Sequence, residues 1–249
     1  MLELRGVSKT FSGIHALQDV EVTLREGEFL SLIGPNGSGK TTLFNCITGF
    51  LAPDDGSIKF DGQSIGGRKP YQIARLGLVR TFQSVRLFGS MSAVENLLVA
   101  VQQHQSDTTV GRLLRTPTLR RHEHEARARA YEMLQRVRLF EHRDKLAGEL
   151  SYGQRKLLAI AAGLMSRPKL VLLDEPTAAV NPTAILAIRD LLRELHSEGQ
   201  TILLVEHNME FVMNLSERIV VLDAGRKIAE GTPAEVRSDD RVLEAYLGG

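Results

Sequence analysis

Apolar positions along this chain of 249 residues follow three different patterns. In residues 2–4 and 20–24 apolar and polar positions alternate, which predicts short antiparallel strands near the start. Three mainly apolar runs predict core strands; they cover residues 28–33, 170–173 and 201–205. The second run is continuously apolar, which is typical of a buried parallel strand. From Ser92 to about Leu150 the apolar residues recur at helical spacing. The pattern therefore predicts an α/β chain in which helical crossovers join parallel strands.

Composition narrows the classes of function. The formal net charge is +1 and 24% of the residues are charged, so we expect no general attraction to nucleic acid or lipid. The longest apolar run, residues 157–165, is about half the roughly 20 residues that cross a bilayer, and the first residues lack the apolar region of a signal peptide. If a membrane is involved, we expect a partner to supply it. The single cysteine, Cys46, is predicted to be a small core residue in a reducing cytoplasm.

Residues 34–42 read G-P-N-G-S-G-K-T-T and match the pattern of a phosphate-binding loop. Its glycines let successive backbone N–H groups surround an anion. Lys40 adds a positive charge at the β- and γ-phosphates, and the Thr41 hydroxyl can ligate Mg²⁺. A strand is predicted before the loop and a helix over residues 42–48 after it, so the helix dipole faces the phosphates. This context favours a nucleotide site over an accidental glycine-rich turn.

Two adjacent carboxylates, Asp174 and Glu175, directly follow the second buried run. Because parallel strands carry functional groups at their carboxyl ends, we expect both to act in catalysis. Asp174 is predicted to hold Mg²⁺, and Glu175 to orient or deprotonate the water that attacks the γ-phosphate. The third buried run ends at Glu206 and His207.

Other candidate residues allow two interpretations from the sequence. Phe11, in the predicted β lobe, could stack on an adenine ring or pack in the core. Ser151 alone is typical of a helix cap. His122 and His124 could suggest a metal site, but the interleaved glutamates favour a solvated helix face.

Five motifs occur in the order seen in ATP-binding cassette (ABC) ATPases, so nearly all of the chain resembles this family. They are the phosphate loop, Gln83, L-S-Y-G-Q at 150–154, L-V-L-L-D-E-P at 170–176, and His207. Longer segments such as R-T-F-Q-S-V-R-L-F, E-P-T-A-A-V-N-P and L-L-V-E-H-N-M resemble the ATPase subunits of bacterial branched-chain amino acid importers. Uptake systems for urea or other amides share much of this pattern.

The resemblance implies a role for each motif residue. The catalytic residues would be Glu175, His207, Gln83 and Lys40, with His207 bonding the γ-phosphate. The Mg²⁺ ligands would be Thr41, Gln83 and Asp174. The nucleotide-binding residues would be Phe11, Asn36, Gly37, Ser38, Gly39, Lys40, Thr41 and Thr42. Ser151, Gly153 and Gln154 would close over the γ-phosphate held by a second subunit, and Asn181 would lie in the loop joining the two active sites.

Three residues depart from the family pattern. Tyr152 stands where the signature commonly has glycine, so its ring must point away from the nucleotide. Asn181 stands where many relatives have aspartate, so it can hydrogen-bond across an interface without adding charge. Phe11 replaces the more usual tyrosine and keeps the stacking face without the hydroxyl.

The resemblance also implies an architecture. It is an α/β, P-loop (RecA-like) fold with a mostly parallel sheet core, an antiparallel β lobe and a helical subdomain. Residues 1–249 would form one ABC ATPase domain, in which 1–81 and 166–249 make the core with the β lobe and about 82–165 the helical signature subdomain.

The implied function is ATP hydrolysis that powers import of branched-chain or hydrophobic amino acids through a membrane permease. The expected cofactors are ATP and Mg²⁺. The expected partners are a second ABC ATPase subunit, identical or related, the permease subunits and, indirectly, a substrate-binding protein, but no nucleic acid. Residues 85–88 are predicted to contact the permease, which places the chain peripherally on the cytoplasmic side of the bacterial inner membrane.

Two rival functions fit the sequence less well. A soluble ABC ATPase acting on DNA or ribosomes usually carries a long coiled-coil insertion or two fused cassettes, and the stretch between Gln83 and Ser151 is too short for such an insertion. A small P-loop GTPase is disfavoured because no N-K-x-D motif is present to read a guanine base.

Overall fold

The computed structural model describes residues 1–81, 87–102 and 117–247. The chain divides into two compact units. The first unit comprises Met1–Arg80, Lys169–Glu175 and Leu192–Gly249, and the second comprises Thr81–Pro168 and Pro176–Leu191.

Ten strands form two sheets within the described part of the chain. They are β1 Leu2–Phe11, β2 Ile14–Leu24, β3 Phe29–Ile33, β4 Asp55–Phe60, β5 Gln63–Ser64, β6 Leu78–Thr81, β7 Leu170–Asp174, β8 Thr201–Val205, β9 Arg218–Asp223 and β10 Arg226–Gly231. The first sheet is antiparallel with the order β2-β1-β4-β5. The second has the order β10-β9-β3-β8-β7-β6, in which β3 runs parallel to β8 and β9 and β7 runs parallel to β8. The predicted α/β fold, with its antiparallel lobe and mostly parallel core, is therefore confirmed.

Burial along the strands explains which sheet each one joins. In β1, Leu2 and Leu4 are buried while Arg5 is exposed, and the antiparallel register pairs Leu2 with Leu24 of β2. All five residues of β3, β7 and β8 are buried, as expected for parallel strands covered on both faces. The carboxyl ends of these three neighbouring strands consequently lie along one edge of the second sheet.

Helices connect the strands or form the second unit. They are α1 Lys40–Ile47, α2 Pro70–Arg75, α3 Ala93–Gln102, α4 Pro117–Arg136, α5 Tyr152–Leu164, α6 Pro182–Ser197, α7 Met209–Leu215, α8 Pro233–Arg237 and α9 Asp240–Leu247, with 3₁₀ turns at Phe140–His142 and Ala147–Glu149. In the second unit α3, α4 and α5 pack on one another. In α3 the apolar residues Ala93, Val94, Leu97 and Val101 are buried, whereas Leu98 is half-buried.

The core of the first unit joins both sheets to α1. One buried cluster includes Leu4 of the antiparallel sheet, Leu172 and Val205 of the parallel sheet, and Phe44 of α1. Cys46 belongs to the same cluster, and burial raises the pKa of its thiol to about 11. Since a protonated, inaccessible thiol is unreactive, Cys46 is a packing residue. The core fixes α1, and with it the phosphate loop, against the end of the parallel sheet.

Candidate functional site

The phosphate loop, residues 34–39, turns between the end of β3 and the start of α1. Gly34 has φ +151°, and a Cβ at this position would overlap the carbonyl oxygen of Leu222. Gly39 caps α1 with φ +102°, and its Cβ would lie 2.5 Å from the carbonyl oxygen of Ala16. Both positions require glycine, because the backbone is left-handed there and neighbouring main chain leaves no space for a side chain.

Lys40 is the first residue of α1, and its side chain folds back over the loop. Its Nζ donates hydrogen bonds to the carbonyl oxygens of Gly34 at 2.9 Å and Pro35 at 2.8 Å. Burial lowers the pKa of this ammonium, and the charges of Glu175 and Asp174 oppose that shift. The lysine thus places a positive charge beside the loop backbone and close to both carboxylates.

The remaining loop residues differ in exposure. Asn36, Gly37 and Thr41 are exposed, Thr42 is half-buried, and Ser38 is buried. The backbone N–H groups at the start of α1 and the Thr41 hydroxyl can therefore meet a ligand from solvent. The N-terminus of an eight-residue helix beside a buried lysine suits a polyphosphate.

Asp174 is the last residue of β7, and a buried arginine holds its carboxylate. Arg80 donates from Nη2 to Asp174 Oδ2 at 2.7 Å, and both side chains are at most 10% exposed. Sequence reasoning did not single out Arg80. A charged residue inside a short strand, three positions before Gln83, was the available signal.

Glu175 and His207 meet at the ends of two neighbouring strands. Glu175 Oε1 lies 2.6 Å from His207 Nε2, and the Glu175 N–H donates to Val205 O at 2.9 Å. Glu175 has φ +48°, a left-handed conformation that turns its side chain out of the strand direction. Buried Glu206 accepts from the backbone N–H of His207 at 2.9 Å. The structure thus brings together the carboxylate and the histidine that the sequence places 32 positions apart.

Phe11 lies at the end of β1 and is 42% exposed, so it is not a core residue. Lys9 Nζ lies 5.6 Å from the centre of its ring. Because the ring is exposed, it is available to stack on a base, and that contact stays a prediction.

Ser151, in the second unit, is the N-cap of α5. Its Oγ accepts from Gln154 N at 3.3 Å, while Gln154 Oε1 accepts from Ser151 N at 2.9 Å. Gly153 is buried, and Tyr152 is 37% exposed with the Arg155 guanidinium 5.7 Å from its ring centre. The signature residues therefore form a capping box at an exposed helix start, with the tyrosine ring at the surface.

Asn181 is exposed and precedes α6. Its Oδ1 accepts from Ala184 N at 2.8 Å, which makes it a helix cap. Gln83, Val85 and Arg86 lie outside the described residues.

The residues present fit Mg²⁺ bound together with phosphates. The Asp174 carboxylate and the Thr41 hydroxyl are hard oxygen donors in the first unit. Among the described residues, no group of three or more His, Cys, Asp and Glu side chains could hold a metal ion. Because Mg²⁺ is usually bound through one or two carboxylates together with substrate phosphates and water, a single carboxylate with a hydroxyl is compatible with it.

Two family models match the chain. One, described as ABC transporter, covers residues 17–178. The other, described as branched-chain amino acid ATP-binding cassette transporter, covers residues 226–249.

The chain is also similar to known proteins over nearly all of its length. It is 45% identical to the high-affinity branched-chain amino acid transport ATP-binding protein BraF of Pseudomonas aeruginosa, over 100% of this chain and 98% of the relative. The ADP conformation of MJ1267, an ATP-binding cassette of an ABC transporter, has a TM-score of 0.85 at 34% identity, covering 100% of this chain and 99% of that one. The dimeric post-hydrolysis structure of the cassette MJ0796, bound to ADP and Pi, has a TM-score of 0.79 at 28% identity, covering 94% and 99%.

In the described part of the chain, no helix has both the length and the apolar character needed to span a bilayer.

Proposed function

Since the chain belongs to the ABC transporter family, we propose that it is the ATP-hydrolysing subunit that powers import of branched-chain or hydrophobic amino acids. The observation that carries the catalytic part is the 2.6 Å contact between Glu175 and His207 at the sheet edge that also holds the phosphate loop. The match of residues 226–249 to the branched-chain amino acid transporter model, together with the likeness to BraF, supports the substrate class. An importer for urea or another small amide is the alternative.

The loop would bind the triphosphate through backbone N–H groups and Lys40. On binding, the Lys40 ammonium would exchange its hydrogen bonds with Gly34 and Pro35 for phosphate oxygens. Phe11 would stack on the adenine ring. Mg²⁺, held by Thr41, Gln83 and Asp174, would neutralise charge on the β- and γ-phosphates.

Glu175 would orient the attacking water and accept its proton. His207 Nε2 contacts Glu175 Oε1 at 2.6 Å. When ATP binds, His207 would exchange this hydrogen bond for one to the γ-phosphate and so free the carboxylate for the water. Because catalysis here would depend on positioning and charge stabilisation, the backbone conformation of Glu175 and its hydrogen bond to Val205 would help to place the carboxylate.

A complete site would need a second subunit. Ser151, Gly153 and Gln154 would present the start of α5 to the γ-phosphate bound by the other copy, and Asn181 would lie between the two sites. The dimer of the similar cassette MJ0796 supports this arrangement. ATP would close the pair and hydrolysis would release it, so the two states can drive a permease. The predicted helical subdomain, about 82–165, would carry the docking surface on the cytoplasmic side of the inner membrane, and a substrate-binding protein would deliver the solute.

The variant Glu175→Gln tests the catalytic assignment. It keeps the shape of the side chain but cannot accept a proton, so we expect ATP turnover to fall by about 10²–10⁴-fold while ATP binding persists. The bound ATP should hold the chain as a dimer in size-exclusion chromatography. Glu21→Gln, on the exposed edge of β2, is the matched control and should hydrolyse ATP normally. Unchanged phosphate release in Glu175→Gln would refute the role of Glu175.

A second experiment tests the substrate class. The purified chain is reconstituted with its copurified permease in vesicles, and uptake of leucine, urea and an uncharged control solute is measured with ATP. We expect ATP-dependent leucine uptake; uptake of urea instead would favour the alternative importer.

A further inference from the structure

Arg80, near the end of β6, is a buried residue that links two parts of the nucleotide site. Its side chain is 7% exposed. Nη2 donates to Asp174 Oδ2 at 2.7 Å, while Nη1 donates to Asn45 Oδ1 at 2.7 Å and to Thr48 Oγ1 at 3.2 Å. One guanidinium thus bridges the end of β7 and the far end of the helix that begins at Lys40.

The surroundings hold the guanidinium in one orientation. Its carbon lies 5.6 Å from the centre of the Phe44 ring, and both nitrogens at its tip are engaged. A planar fork can make these two divergent bonds at once, whereas a lysine ammonium is a single point of charge. The identity of the residue therefore matters as well as its sign.

The bond also fixes the orientation of the Asp174 carboxylate. Because Arg80 engages Oδ2, the carboxylate cannot turn freely when a cation binds at the sheet edge. Asp174 is only 8% exposed, and an acidic group at this depth needs a partner that fixes it. Without the arginine, the carboxylate would lose its fixed direction.

We propose that Arg80 is a positioning residue that orients Asp174 toward Mg²⁺·ATP and ties it to α1. The proposal rests on the function proposed above, because it needs Asp174 to act on the metal. Residues that orient metal ligands typically change metal affinity by about 10–100-fold. Loss of Arg80 should therefore weaken nucleotide binding only when Mg²⁺ is present.

The test measures how much Mg²⁺ strengthens nucleotide binding. A fluorescent ATP analogue is titrated into the purified chain with Mg²⁺ and again with EDTA, and the ratio of the two dissociation constants gives the metal's contribution. The variants are Arg80→Met, Arg80→Lys, Asp174→Asn and the double variant Arg80→Met/Asp174→Asn. Arg218→Met is the matched control, because Arg218 is also a partly buried arginine paired with a carboxylate, Glu28, in the same unit.

We expect the ratio to fall about tenfold or more in Arg80→Met and less in Arg80→Lys. The ratio should also fall in Asp174→Asn. In the double variant the ratio should be no lower than in Asp174→Asn alone, because both changes act through one carboxylate. Arg218→Met should lower the melting temperature and leave the ratio unchanged. If Arg80→Met does not fold, Asn45→Ala removes the other end of the bridge and should lower the ratio by a smaller factor.

Two results would overturn the proposal while leaving the proposed function intact. In the first, the ratio falls in Asp174→Asn but stays at the wild-type value in Arg80→Met. In the second, Arg80→Met lowers the ratio by the same factor whether or not Asp174 has been changed to Asn. A wild-type ratio in Asp174→Asn would instead remove the metal role of Asp174, and with it both the proposed ligand and the role of Arg80.

Discussion

At the scale of single residues, Gly153 shows how tightly the signature is built. It is buried in the first turn of α5, and a Cβ placed there would lie 2.6 Å from the Cβ of Ala184 in α6. Two carbon atoms cannot approach so closely, so any side chain at this position must push α5 away from the start of α6. The residue next to the exposed cap is thus fixed by packing within the second unit.

We predict that Gly153→Ala lowers the free energy of unfolding by about 1 kcal/mol, because overpacking outweighs the better helix propensity of alanine. Urea denaturation measures the change. Gly66→Ala is the control, since a Cβ there meets no atom within 4 Å. Gly153→Ala should cost less free energy of unfolding in a chain that already carries Ala184→Gly than in the parent chain. An equally stable Gly153→Ala would show that the two helices separate without cost.

At the scale of elements, two helices start in the second unit, and a side chain caps each of them. Both capping residues also have proposed roles in a dimer. Ser151 caps α5 and Asn181 caps α6. A cap satisfies orphan N–H groups and fixes where the helix starts. The sequence allowed Ser151 to be a cap or an anion contact, and the structure shows that the cap exists, while the contact across a dimer stays a prediction.

Two substitutions at Asn181 separate its role as a helix cap from the effect of a charge at this position. Asn181→Ala removes the cap and should lower the free energy of unfolding by about 1 kcal/mol. Asn181→Asp keeps an oxygen acceptor at the positive end of α6 and should stay within a few tenths of a kcal/mol of the parent. Urea denaturation of the isolated chain gives both values. A fully stable Asn181→Ala chain would contradict the cap.

At the scale of the whole molecule, the proposed transport function needs a surface that meets a permease. Phe88 is 53% exposed, yet its backbone is held firmly, because its N–H donates to Asn96 Oδ1 at 2.8 Å and its carbonyl accepts from Asn96 Nδ2 at 3.1 Å. An exposed aromatic ring on a fixed backbone is well suited to a protein contact. Leu87 beside it is half-buried.

We predict that Phe88→Ala lowers ATP-driven transport in vesicles at least about tenfold while the isolated chain keeps its basal ATPase activity. The reason is that truncating an aromatic hot spot costs about 2 kcal/mol or more of binding free energy. Leu243→Ala is the control, since Leu243 is similarly exposed at 48% on α9. Normal coupling in Phe88→Ala would place the docking surface elsewhere on the chain.

The sequence by itself determined the elements and the motif residues at the nucleotide site. The glycines of the phosphate loop, Lys40 and the buried β7 run before Asp174 and Glu175 were predicted because period and residue type are local properties. The order of the motifs also determined the family, which the full-length similarity confirms.

The tertiary structure decided the contacts that join distant parts of the chain. The antiparallel lobe was predicted, but the strand order of the parallel sheet was not, and that order brings His207 to Glu175. Arg80 carries no motif; only the packing of β6, α1 and β7 makes it the partner of Asp174. The physical reason is that hydrogen bonds and close packing depend on which strands become neighbours, and a local pattern of hydrophobic and polar residues does not contain that information.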